Sequence, residues 1–182
     1  MLLDVHAYVL ARPNLPVLRF YDTRNPHGHY SNFSPHKIWL DDLWWPTTEH
    51  AFQAYKSLDP VVQKQVREQA SPGKAKYLGG SLRLRPDWEA PVRQAQVPPP
   101  WGADIPTRPD TRVERFKDLV MWRALKAKFR QHSELYGLLL TTDDAILIEA
   151  AETDPYWGWG PSHTGANQLG FLLMELRDEL RG

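Results

Sequence analysis

The sequence contains no cysteine, so neither a disulfide framework nor a thiolate zinc site is available to it. That absence fits a cytoplasmic setting. No apolar run approaches the ~20 residues that a membrane-spanning helix needs. The opening stretch MLLDVHAYVLARP has no basic segment and carries Asp4 and His6, unlike a secretory signal. An excess of one charge is also missing: 22 Lys and Arg stand against 22 Asp and Glu, a formal net charge of zero. A dedicated duplex-DNA binder normally carries a basic surplus for phosphate contacts, so nucleic acid is not expected as the main partner. Three nucleotide and hydrolase signatures do not occur: the phosphate loop, the Gly-x-Gly-x-x-Gly turn and the Gly-x-Ser-x-Gly elbow. No second His follows Glu49-His50 at metalloprotease spacing, and His27 and His29 are lone loop histidines. No metal and no cofactor are expected.

What is present suits one globular domain over residues 1–182, with 42% hydrophobic residues. A chain of this length buries roughly 70% of its unfolded surface. Eight Trp and seven Tyr supply core mass and flat walls on which bases or sugars can stack. Val17–Tyr21 and Lys37–Leu40 read as strands, with Asp41-Asp42 as a hairpin turn. A helix is expected from Thr47 or Thr48 to about Leu58, with a Thr as cap and Glu49 at the positive end of its dipole. Further helices fit Val61–Gln69, Lys74–Leu78, Arg112–Arg130, Ser133–Leu140 and Asn167–Leu180, and Ile146–Ile148 reads as a buried strand. Val113, Phe116, Val120, Ala124 and Ala127 form one apolar stripe, and Leu169, Leu172, Leu173, Leu176 and Leu180 form another. The fold class is α+β, predominantly α-helical, with a small antiparallel sheet. Residues 86–110 hold seven prolines, which excludes regular helix or central strand. This stretch reads as an excursion over the surface.

Three clusters have the residue types of a reactive site. Glu49, Gln53 and Lys56 fall at i, i+4 and i+7, on one helix face. Ala51, Tyr55 and Leu58 are placed to turn inward. The same spacing also fits an ordinary solvated face, but a partly buried Lys loses its proton more easily and then attacks a carbonyl or imine. The run Glu149–Gly160 leaves a buried strand and carries Asp154, Trp157, Gly158 and Gly160. Loops on rigid scaffolds are frequent sites, and the glycines permit close approach to a ligand. A simple turn with Trp packed inward is the alternative. Gly165-Ala166-Asn167, before the last helix, offers backbone N–H groups as a phosphate seat. In Ser31–Pro35, Asn32 suits a base or sugar hydroxyl and Phe33 suits stacking, and a tight turn explains the same residues.

Taken in order, these stretches resemble the NADAR superfamily, in particular its YbiA-like branch. The matching pieces include Phe20-Tyr21, Ser31-Asn32-Phe33, Ser71-Pro72, Ala127–Gln131, Glu149-Ala150 with Asp154, Tyr156–Gly160 and Gly165–Gly170. Trp45-Pro46-Thr47-Thr48-Glu49-His50-Ala51-Phe52-Gln53-Ala54-Tyr55-Lys56 is the most specific of them. The resemblance runs over residues 19–181. It departs at a Pro-rich insertion of about residues 89–110 and at Ala150-Ala151, where the family often has Ser-Pro.

The resemblance implies a mostly helical fold and an N-glycosidase acting on small phosphoribosyl molecules. The favoured substrates are phosphoribosylamino-pyrimidine intermediates of riboflavin biosynthesis. The alternatives are a hydrolase of ADP-ribosylated guanine, in which nucleic acid serves only as the modified substrate, and a non-catalytic module that binds ADP-ribose. The first alternative calls for a basic rim, for which Arg83, Arg85 and Arg93 are the candidates. Both substrate types join ribose C1 to an exocyclic amine, so the acetal can open to an imine. In the expected mechanism Glu49 or Asp154 transfers the proton and neutral Lys56 attacks C1 to give a Schiff base. Trp157 stacks on base or ribose, while Asn32, Phe33, Gln53, Gly158, Gly160 and Asn167 line or bind substrate. A rival mechanism uses Glu49 and Asp154 as a carboxylate pair without a lysine adduct.

Overall fold

The computed structural model describes residues 4–182; the first three residues of the N-terminal stretch considered above lie outside them. In chain order the elements are α1 (Val5–Leu10), β1 (Val17–Phe20), β2 (Ile38–Leu40), β3 (Leu43–Trp45), α2 (Thr48–Ala54), α3 (Pro60–Arg67), α4 (Pro72–Gly80), α5 (Phe116–Gln131), α6 (Ser133–Leu140), β4 (Ile146–Glu149) and α7 (Gln168–Arg181). The α+β, mainly helical class with a small antiparallel sheet is therefore observed. No helix among the described residues is long and apolar enough to cross a membrane. The chain divides into two compact units, one of residues up to 34 with 134–182, the other of residues 35–133.

In the first unit, β1 and β4 pair in parallel, with Val17 opposite Ile146 and Phe20 opposite Glu149. Helix α7 lies on β4. Its Leu169, Leu172, Leu173 and Leu176 are fully buried, as their helical spacing requires. Helix α1, which the sequence reading did not anticipate, starts at the Asp4 cap, whose carboxylate accepts the His6 N–H at 2.7 Å.

In the second unit, β2 and β3 form an antiparallel hairpin, and Asp41 and Asp42 both adopt left-handed φ values (52° and 59°). Positive φ at both central residues is the demand of the tight turn that follows strand twist. Helix α2 starts at a Thr47 cap. Its His50 is enclosed: Nδ1 lies 2.8 Å from the Thr47 hydroxyl and Nε2 lies 3.1 Å from the Gln69 carbonyl. A carbonyl can only accept, so Nε2 carries the hydrogen and Nδ1 accepts from Thr47. Burial pushes the His50 pKa down.

Helix α2 stops at Ala54, short of the expected Leu58. Lys56 and Ser57 close three-residue turns onto Gln53 and Ala54, and Gln63 donates to the Ser57 carbonyl at 2.7 Å. Asp59 must then leave the helical region, since it precedes Pro60 and caps α3. Leu58, expected to turn inward, is exposed. Helix α5 begins at Phe116, four residues later than expected. Val92 donates to the Glu114 carbonyl and Phe116 to the Ala90 carbonyl, which holds Arg115 extended opposite Pro91.

That pairing ties down the Pro-rich stretch. It is not a surface excursion throughout, because Trp88, Val92 and Trp101 are buried. Trp101 Nε1 donates to Asp41 at 3.2 Å, and its ring stacks on Phe116 with centroids 5.8 Å apart. Arg123 bridges Asp41 (2.8 and 2.6 Å) and Asp104 (2.8 Å), with its guanidinium carbon 3.9 Å from the Trp101 ring centroid. Burial pushes the Asp41 carboxyl up, but the bonds from Arg123, Tyr55 and Trp101 outweigh it and hold the pKa below the usual range.

Lys128, on the same apolar stripe as Val120 and Ala124, is fully enclosed. Burial pushes its pKa down to about 7.

Two outcomes follow. Trp101→Ala lowers the free energy of unfolding by about 3–5 kcal/mol, the usual cost of deleting a buried indole, whereas Lys64→Ala, which removes an exposed ion pair with Glu68, changes little. Denaturant titration reads both. His50 and Lys128 are bases with lowered folded pKa values, so the unfolded chain binds more protons and stability rises with pH. For Lys128 that rise lies between about 7 and the ordinary 10.5; for His50 it lies just below the ordinary 6.5. The upper slope disappears in Lys128→Met when unfolding is followed across pH.

Candidate active site

The most specific sequence stretch folds into α2 and the turn after it. Thr47, Glu49 and Gln53 are all buried, so the polar face is not a solvated one. Gln53 Nε2 donates to Glu49 Oε1 at 2.7 Å. Glu49 sits in the first turn, where the helix dipole favours a carboxylate. Lys56 lies just past the C-cap and is half-buried, with Nζ 5.6 Å from the Phe52 ring centroid. Its carbonyl accepts the Arg85 N–H at 2.7 Å. The residues that follow it, Ser57, Leu58 and Asp59, line a cavity of about 550 Å³ with Val62, Leu82 and Arg83.

The loop after β4 is organised by Asp154, whose Oδ1 accepts the N–H groups of Tyr156 (3.0 Å) and Trp157 (2.9 Å). Trp157 is half-buried and meets Tyr156 edge-on at 5.1 Å. Gly158 and Gly160 were expected to admit a ligand. The close approach is instead to the chain itself: a Cβ on Gly158 would lie 2.8 Å from the Ala151 Cβ and 2.9 Å from the Glu149 carbonyl. Gly160 holds a left-handed φ of 68°.

The phosphate seat expected before α7 is not available. The N–H groups of residues 165–169 donate, in order, to the carbonyls of Trp159, Pro155, Gly158, Tyr156 and Trp157, at 2.7–3.1 Å. Asn167, expected to bind sugar or phosphate, is wholly buried. Its Oδ1 accepts the Glu149 N–H at 2.9 Å and its Nδ2 donates to the Leu147 carbonyl at 2.8 Å, so it works as a clamp between β4 and α7. The third cluster is a tight turn: Phe33 N–H donates to Ser31 Oγ at 3.2 Å and Ser34 N–H to the Ser31 carbonyl at 3.1 Å. Asn32 is buried and Phe33 half-buried.

The structure thus joins Glu49 to Gln53 within the second unit, and Asp154 to Trp157 within the first. Asn32, Phe33 and Asn167 belong to the first unit and Lys56 to the second. Of the arginines expected to form a basic rim, Arg85 is buried. It pairs with Asp87 (Nη2–Oδ2 2.9 Å) and its guanidinium carbon lies 3.8 Å from the Phe116 ring centroid. Arg83 and Arg93 are exposed. Lys128 was missed as a residue of interest, although its place on an apolar stripe was the signal. Among the described residues, no three His, Asp or Glu side chains gather as a metal-ligand set.

The family model described as the NADAR domain matches residues 19–181. The chain is 40% identical to N-glycosidase YbiA of Escherichia coli (strain K12) over 166 residues, 90% of this chain and 88% of that protein. It is 34% identical to N-glycosidase Npun_R5314 of Nostoc punctiforme, over 89% of this chain and 91% of that one. It is 33% identical to the chloroplastic riboflavin biosynthesis protein PYRR of Zea mays, over 91% of this chain but 25% of that longer protein. The NMR structure of E. coli YbiA superposes with a TM-score of 0.72 at 39% identity, covering 91% of this chain and 85% of that one. A match across nearly the whole chain, in sequence and in fold, makes this protein a member of the NADAR domain family.

Proposed function

We propose that this chain is a cytoplasmic N-glycosidase that hydrolyses phosphoribosylamino-pyrimidines, small-molecule intermediates of riboflavin biosynthesis. Its relatives named N-glycosidase support the bond class, and those named for riboflavin biosynthesis support the substrate. One observation carries the assignment of chemistry to α2: a buried carboxylate, Glu49, held by Gln53, lies two helical turns before a half-buried Lys56, and a cavity opens beside the residues that follow.

The reaction runs through the open-chain sugar. Glu49 delivers a proton to the ring oxygen as the exocyclic nitrogen forms a C=N bond to C1 and the C1–O bond breaks. The neutral Lys56 amine adds to C1, and the pyrimidine amine leaves with a proton. The resulting lysine iminium takes up water, which frees the aldehyde of the sugar phosphate, restores the Lys56 amine and returns a proton to Glu49. Lys128 is an amine whose pKa burial lowers to about 7, but it is fully enclosed, whereas Lys56 is reachable. Asp154 shapes the Trp157 loop through one carboxylate oxygen, and Trp157 offers a face for stacking.

ADP-ribosylated guanine shares the same exocyclic bond. Arg85 is turned inward onto Asp87, which leaves only Arg83 and Arg93 for the rim that such a substrate calls for.

Borohydride added during turnover traps a reduced sugar adduct on Lys56, identified by peptide mass. Lys56→Ala abolishes the adduct, and Glu49→Gln lowers kcat/KM by about 10²–10⁴-fold, the range of positioned proton transfer. An active Lys56→Ala enzyme without any adduct assigns the chemistry to the carboxylates alone. Parallel assays on a phosphoribosylamino-pyrimidine and on ADP-ribosylated guanine rank the two substrates, and binding of ADP-ribose without turnover of either removes the enzymatic reading.

A further inference from the structure

Helices α2 and α4 pack side by side in the second unit. Two glycines end α4, and they differ in surroundings. A Cβ on Gly80 would meet nothing within 4 Å among the described residues. A Cβ on Gly79 would collide with Gln53 Oε1 and lie 2.8 Å from both Gln53 Cβ and Cδ. Gln53 is 3% exposed, and its Oε1 has no hydrogen-bond partner among the described residues, so the amide is pressed against the α4 backbone. The other end of that amide is fixed: Nε2 donates to Glu49 Oε1 at 2.7 Å, a bond that a carboxyl oxygen accepts with or without the proton on its other oxygen. A methyl group at position 79 cannot coexist with this rotamer. Unlike an exposed Gln, which swings away freely, Gln53 is enclosed by its own helix and by α4.

We propose that Gly79 is a positioning residue for the hydrolysis, leaving the one space in which Gln53 can aim its amide N–H at Glu49. The role rests on the reading of Glu49 as the proton-transfer group. Gly79 acts only through Gln53. A hydrogen bond to the charged form favours that form, so removing the Gln53 donor raises the pKa of Glu49. The basic limb of the kcat/KM profile, where Glu49 loses the proton it must deliver, then moves to higher pH.

The test compares Gly79→Ala, Gln53→Ala, their double variant and Gly80→Ala as full chains, with a phosphoribosylamino-pyrimidine as substrate. Gly79→Ala and Gln53→Ala are each expected to lower kcat/KM by roughly ten- to hundred-fold, the scale of one hydrogen bond to the carboxylate left by proton transfer, and to shift the basic limb alike. The double variant loses no more than either single one, because both remove the same interaction. Gly80→Ala matches the parent. Gln53→Ala vacates the space that the methyl group added by Gly79→Ala needs. The double variant therefore melts higher than Gly79→Ala, and this holds even when Gly79→Ala alone does not fold. A folded Gly79→Ala with the parent profile, losses that multiply in the double variant, or no recovery of stability by Gln53→Ala overturns the proposal. Full activity of Glu49→Gln retires the role of Glu49 instead. The Gln53 side-chain amide resonance, which needs no turnover, then decides the packing claim: a parent-like signal in Gly79→Ala ends it.

Discussion

One carboxylate organises the second unit. Asp41 sits at a hairpin tip in a left-handed conformation and gathers donors from three other segments: Tyr55 after α2, Trp101 in the Pro-rich stretch and Arg123 on α5. Charge-assisted bonds of this kind are strong, and a bidentate guanidinium adds geometric specificity. Tyr55 directly precedes Lys56, so the contact that anchors the Pro-rich stretch also fixes the backbone from which Lys56 projects. Burial and the adjacent carboxylate push the Tyr55 hydroxyl far above its ordinary pKa, which keeps it a donor at any physiological pH.

The first unit is arranged around an amide instead. Asn167 ties the β4 backbone to the start of α7 while its own φ of 48° turns the chain into the helix. Asn tolerates that region better than most residues. A carboxamide is suited to the place because it offers a donor and an acceptor side by side, and both are used.

Much of this was legible in the residues. The helix over Lys74–Leu78, which α4 extends back to its Ser71 cap, the Asp41-Asp42 turn and the leucine stripe of α7 each follow from local chemistry that tertiary contacts leave unopposed. The grouping of Glu49 with Gln53 follows from helical spacing. The failures came where a distant segment decides. Beyond the end of α2, Gln63 from α3 takes the Ser57 carbonyl in the turn, and α5 starts late because Ala90 and Val92 claim the preceding backbone. Asn167 and Gly158 looked like ligand contacts because the residue type suits both a ligand and the chain's own backbone, and only the fold shows which partner is near. Lys128 was hidden differently: a lysine on an apolar stripe is normally placed so that its head escapes to water, and here it does not.

The ladder between residues 155–159 and 165–169 has a mechanical meaning. Five successive amides of one strand of chain are spent on five carbonyls of the other, so the Trp157 loop cannot lift as a flap without breaking all of them together. It behaves as a fixed wall. Any breathing of the first unit must be carried by segments outside this ladder, and the Trp157 ring projects from a backbone that is already fixed.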